Sequence, residues 1–97
     1  MPAAHRALVD LNTGHDCFPP VLASSGSSDV KINEKPAHRF SDPYFPHECG
    51  VCSPHVGFGS KGSSKVYING KPARRVEDAV SCGGTAKDGA SNVFIGG

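Results

Sequence analysis

The chain has no tryptophan, and Phe and Tyr together make up only 7% of its 97 residues. With hydrophobic residues at 37% it lacks the material for a thick core. A chain of this size buries only about two-thirds of the surface its unfolded form exposes. Charge of one sign is also lacking. A formal net charge of +1 gives no field to gather a polyanion and no acidic face for a basic partner, so nucleic acid is not expected. No apolar run approaches the roughly 20 residues of a membrane-spanning helix. Met1-Pro2-Ala3-Ala4-His5 lacks the charged and apolar regions of a secretory signal. Cytoplasmic synthesis is therefore the expectation, which favours metal ligation or free thiols over disulfides. No Gly-x-Ser-x-Gly turn or paired-carboxylate arrangement occurs, and no enzyme is expected. Gly57-Phe58-Gly59-Ser60-Lys61-Gly62 lacks the residue order and the following helix of a phosphate loop.

What the chain does have is Gly (12) and Pro (8), roughly a fifth of its length, and this favours turns and short strands over helices. It also has a repeat. Val30-Lys31-Ile32-Asn33-Glu34-Lys35-Pro36-Ala37-His38-Arg39 recurs as Val66-Tyr67-Ile68-Asn69-Gly70-Lys71-Pro72-Ala73-Arg74-Arg75. Val93-Phe94-Ile95-Gly96-Gly97 begins the unit a third time, and Pro2-Ala3-Ala4-His5-Arg6 supplies the missing end. Three tandem units in one domain over residues 1–97 follow. Alternation puts Val30/Ile32, Val66/Ile68 and Val93/Ile95 on a core face and Lys31, Tyr67 and Phe94 on the other. Asn69-Gly70 has the chemistry of a type I′ hairpin turn, and the same turn at Asn33-Glu34 would place Glu34 at positive φ. His5 and His38 read as exposed strand-end residues, and Arg74-Arg75 as solvated surface.

Aligning the units on Arg6, Arg39 and Arg75 and on the aspartate that follows each sets Asp10, Asp42 and Asp78 in register, and then Cys17, Cys49 and Cys82. His15 and His47 each stand two residues before a cysteine; the third unit is shorter and has no such histidine. Seven residues, His15, Cys17, His47, Cys49, Cys52, His55 and Cys82, thus lie in the connecting segments, with the nitrogen and sulfur donors that zinc takes tetrahedrally. Spacing leaves the ligand set open between Cys49-x-x-Cys52-x-x-His55, one cysteine per repeat, and the set His15, His47, His55 and Cys82.

At Lys35-Pro36-Ala37-His38-Arg39 and Lys71-Pro72-Ala73-Arg74-Arg75 the chain resembles the PAAR-repeat family. The resemblance extends over Gly14-His15-Asp16-Cys17, His47-Glu48-Cys49, Val80-Ser81-Cys82-Gly83-Gly84 and the closing Gly89 to Gly97. It departs where His38 or Arg74 replaces the alanine before the arginine. The resemblance implies an all-β, cone-shaped, pseudo-threefold domain of short strands and hairpins. It implies one structural zinc near the vertex on His15, His47, His55 and Cys82, with Cys17, Cys49 and Cys52 as non-ligands. It further implies a monomer that caps and sharpens the trimeric spike of a type VI secretion system or contractile phage tail, one chain per trimer. The base facing the spike is expected at Lys31, Tyr67 and Phe94. Such a protein assembles in the cytoplasm, leaves with the spike and touches the target membrane in passing. The alternatives are an adaptor for toxic effector proteins and a small zinc hydrolase.

Overall fold

A computed structural model of the chain describes residues 1–50 and 52–97, the side chain of Cys52 excepted; the reading of that thiol lies outside the described residues. Among these residues there is no helix. Three two-stranded antiparallel hairpins form: β1 (Lys31–Ile32) with β2 (Lys35–Pro36), β3 (His47–Cys49) with β4 (Cys52–His55), and β5 (Tyr67–Ile68) with β6 (Lys71–Pro72). The molecule is elongated, 39 × 24 × 22 Å.

The two repeat hairpins have the same turn. Asn33-Glu34 and Asn69-Gly70 are left-handed at both central positions, with φ of 51° and 70° in the first and 54° and 78° in the second. The interrupted third unit closes across the chain ends, where Ala3 pairs with Phe94. Ala37, Ala73 and Ala4 then occupy one repeat position, their amides donating to the carbonyls of Val30, Val66 and Val93 at 3.1, 2.9 and 2.9 Å. Ile32, Ile68 and Ile95 meet these alanines and Ala90 in one core cluster. The alternation therefore identifies the isoleucines correctly. It misplaces Val30 and Val66, which lie at the rim and stay exposed because the converging hairpins leave room for one apolar residue each.

Pairing around the axis is cyclic. Arg6 pairs with Ala37, Arg39 with Ala73 and Arg75 with Ala4. Between them the amide of His38 donates to the carbonyl of His5, that of Arg74 to His38, and that of His5 to Arg74, at 3.1, 3.0 and 3.0 Å. This closed ring satisfies its own polar groups without solvent. Farther along, Ala23 pairs with Tyr44, Gly59 with Val80 and Ala86 with Asn12, repeating the cycle around a second cluster of Ala7, Ala23, Tyr44 and Val80.

The aspartates in register have one task. Each accepts from the backbone amide and the guanidinium of its unit's arginine, at 2.8–2.9 Å for Arg6–Asp10, 2.7–3.0 Å for Arg39–Asp42 and 2.9–3.1 Å for Arg75–Asp78. Such two-pronged ion pairs fix direction as well as charge. Two residues after each arginine, Leu8, Ser41 and Glu77 turn left-handed, with φ of 74°, 72° and 79°, and redirect the chain toward the second cluster.

Two expectations are corrected here. Arg75 is not solvated surface but buried against Asp78, and Arg74, His5 and His38 are not exposed at all. They occupy the axis itself, where a side chain has nowhere to go but inward. Burial is possible because every polar atom finds a partner. Arg74 Nε donates to the Lys61 carbonyl at 2.9 Å, and Nη2 donates to the carbonyls of Asp78 and Ala79 at 2.7 and 2.6 Å. Nη1 donates to His38 Nδ1 at 3.2 Å and to the Tyr44 hydroxyl. That hydroxyl donates to His5 Nε2 at 2.8 Å, His5 Nδ1 donates to the Asp88 carbonyl at 2.7 Å, and His38 Nε2 donates to the Pro43 carbonyl at 3.2 Å. Both imidazoles are neutral: burial pushes His5 down to about 4 and His38 down to about 2, with the Arg74 charge acting the same way.

A third correction concerns redox state. Cys17 and Cys49, expected as thiols, are joined in a disulfide, their Cα atoms 5.5 Å apart. The repeat register brings these two positions together where the arms converge.

Arg74→Met leaves His38 Nδ1 and the Lys61 carbonyl without a partner and removes one bond each from the Tyr44 hydroxyl and the Asp78 and Ala79 carbonyls, and is expected to lower stability by about 2–4 kcal/mol; denaturant unfolding measures it, and a loss within the scatter of surface variants would contradict the network. Glu34→Gly relieves a left-handed side chain costing about 1 kcal/mol and should raise the melting temperature. A lower value would show that Glu34 is not strained.

Candidate metal centre

Each arm delivers its donors by a local device. His15 and Phe18 exchange both backbone hydrogen bonds, at 3.1 and 2.7 Å, around a turn in which Asp16 is left-handed (φ 50°). Asn12 Oδ1 ties the base of this loop by accepting from the amides of Gly14 and Val21, at 3.1 and 3.0 Å. His47 and His55 face each other across β3 and β4, and the bulge between them and the Cys49–Cys52 pair turns both toward one side. Cys82 sits in a tight turn held by Val80 and Gly84. Close approach requires glycine at position 57, since a Cβ there would lie 2.7 Å from Cys82 Sγ.

These devices bring His15, His47, His55 and Cys82 together, with one donor atom from each lying within 4.8 Å of every other. The Nε2 atoms of His47 and His55 are 2.8 Å apart, those of His15 and His55 3.0 Å, and Cys82 Sγ is 3.9 Å from His47 Nε2. Donors around a tetrahedral ion with bonds of about 2.0–2.3 Å stand roughly 3.3–3.7 Å apart, so the set, with separations from 2.8 Å to at most 4.8 Å, brackets that spacing and fits a metal ion after side-chain adjustment. His47 Nδ1 donates to the Pro19 carbonyl at 2.9 Å, which leaves its Nε2 lone pair aimed inward. Desolvation and the neighbouring His47 and His15 hold His55 below the usual imidazole range, and burial raises the Cys82 thiol. The cluster thus resists extra protons on His55 and resists charge on sulfur, and a bound cation reverses the second effect by stabilising the thiolate.

Sequence reasoning missed Phe18. Its ring centroid lies 4.9 Å from that of His15, 5.0 Å from His47 and 4.3 Å from His55, so it covers all three imidazoles. Its position directly after Cys17, in a chain with few aromatics, was the available signal. Of the other candidates, Cys17 and Cys49 are held in the disulfide. Lys31, Tyr67 and Phe94 stand exposed on the repeat strands, one per unit, and take no part in the donor cluster.

A family model described as PAAR motif matches residues 12–88, a span that holds the whole donor cluster. No curated protein matches the chain.

Cys82→Ser is expected to weaken metal binding at least tenfold while Cys17→Ser still takes up one metal per chain at saturation, as read by elemental analysis and competition with a chelator. Full occupancy in the first and loss in the second would assign the sulfur ligand wrongly.

Proposed function

The chain belongs to the PAAR-motif family, and on that footing we propose that it is a structural tip protein, the point of a trimeric spike of the type VI secretion or contractile phage-tail kind. The observation that carries this reading is the cyclic pairing: three unlike segments of one chain close a threefold ring at Arg6–Ala37, Arg39–Ala73 and Arg75–Ala4. A trimeric needle ends in three open strand edges, and a partner with three quasi-equivalent strands can cover all of them at once. Tyr67 and Phe94 remain 56% and 51% exposed on equivalent strands, with Lys31 exposed on the remaining one. On this reading they face the spike.

Zinc is the metal that three imidazoles and a thiolate favour, and four protein donors close its coordination shell as in structural rather than catalytic sites. A bound zinc supplies cross-linking: in small modules it contributes on the order of 10 kcal/mol or more to folding. Phe18 keeps water from the imidazoles, and the Pro19 carbonyl orients His47. A tapering end has almost no interior, so ligation takes the place of packing there. The protein would then assemble in the cytoplasm and be carried out with the spike.

An adaptor role has one observation in its favour. Phe40, Phe45 and Phe58 all belong to the second unit, between Arg39 and β5, and stay 42–44% exposed, which leaves apolar surface on that arm for a cargo protein.

Native mass spectrometry of the protein mixed with a spike trimer is expected to show one chain and one zinc per trimer. Lys31→Glu with Tyr67→Asp should weaken that complex at least tenfold. Unaltered affinity would place the interface elsewhere, and a spike-independent complex with a toxin, lost in Phe45→Ser, would favour the adaptor.

A further inference from the structure

The repeat places three sulfurs at one register position, and the structure uses them in two ways. Cys17 and Cys49 are bonded to each other, while Cys82 joins the donor cluster. Each bridged cysteine lies two residues after a donor: His15 precedes Cys17, and His47 precedes Cys49. The disulfide therefore joins the two donor-bearing arms at symmetric points just beyond the site. Other links between these arms are noncovalent, chiefly the His47–Pro19 contact at 2.9 Å and the Phe45 amide donating to the Leu22 carbonyl at 3.0 Å. Cys17 is exposed, so thiols and oxidants in solution can reach the bond.

We propose that the Cys17–Cys49 disulfide is a redox-controlled clamp on the metal centre, holding the His15 and His47 arms together when closed and letting them part when open. Opening breaks the sulfur–sulfur bond with two electrons and two protons and leaves two thiols. A dithiol donor is oxidised to its cyclic disulfide; a phosphine is oxidised to its oxide with oxygen from water. Closing returns the two electrons to an oxidant such as a disulfide of the surroundings. The clamp and the metal are linked reciprocally: whatever factor the closed bridge adds to metal affinity, bound metal adds to the resistance of the bridge to reduction. The inference rests on the metal reading of the four donors. On the spike-tip reading, a reducing cytoplasm opens the clamp and the oxidising space outside the cell closes it.

The test uses the full chain loaded with zinc in three forms: oxidised, phosphine-reduced, and Cys17→Ser/Cys49→Ser. Zinc transfer to a chromogenic chelator should be roughly tenfold faster or more in the second and third forms, the scale of losing a support around metal ligands. The bridge's reduction potential against a glutathione couple should fall on zinc binding, by about 30 mV for each tenfold of coupling. Amide exchange should quicken around His15 and His47 while the ring amides of His5, His38 and Arg74 keep their protection, which a general loss of stability would not allow. If the double variant fails to fold, the reduced wild-type chain carries the comparison. Equal release rates and an unmoved potential overturn the clamp and leave the metal site standing. Oxidised protein that takes up no zinc overturns both, and the measured stoichiometry tells the two failures apart.

Discussion

Three peptide amides, those of His5, His38 and Arg74, donate to one another's carbonyls in a closed ring, and the rest of the molecule takes its place from that closure. A ring of this kind forces three stretches of chain to cross one axis side by side. Below it the hairpins can bring one isoleucine and one alanine each to the centre. Above it the left-handed residues Leu8, Ser41 and Glu77 turn the arms toward the taper, each steadied by an arginine–aspartate pair. The donor cluster forms where the arms have run out of apolar material to share.

The ring also explains the departure from the PAAR motif. With alanine before the arginine, three methyl groups would project at the axis. This chain instead fits two imidazoles and a guanidinium there, with Tyr44 beside them, all hydrogen-bonded. Such a filling demands neutrality from both histidines, because a second positive charge would be buried beside Arg74, and each imidazole donates to a backbone carbonyl and not to a carboxylate. The Asp10, Asp42 and Asp78 carboxylates are already engaged by their own arginines. Stability gained from the neutral imidazoles is full above the ordinary histidine range and is lost as pH falls toward the lowered values.

Much of this was legible in the sequence, because repetition is itself a structural statement. The alternation identified Ile32, Ile68 and Ile95, Asn69-Gly70 announced its turn, and resemblance singled out the four donors that the structure gathers. Polar residues on the axis were not legible. His5, His38 and Arg74 look like surface residues unless it is known that their backbone crosses the centre, and one-dimensional patterning holds no information about an axis. The same limit hid the disulfide: alignment showed Cys17 and Cys49 to be equivalent, but equivalence places residues around an axis without saying how close to it they lie. Phe18 escaped because its register position holds Gly50 and Gly83 in the other two units, so repetition gave no sign of a ring there.

The pairing of Ala3 with Phe94 makes the first residues of the chain partners of nearly the last. The isoleucine layer, which takes Ile95 from one segment and Ala4 from the other, cannot close until the two have found each other. Long-range pairing of this sort slows folding, to milliseconds or seconds in small all-β domains. Until those two distant segments meet, the hairpin edges beside them stay open, and the time they take sets how long the fold is exposed to wrong partners.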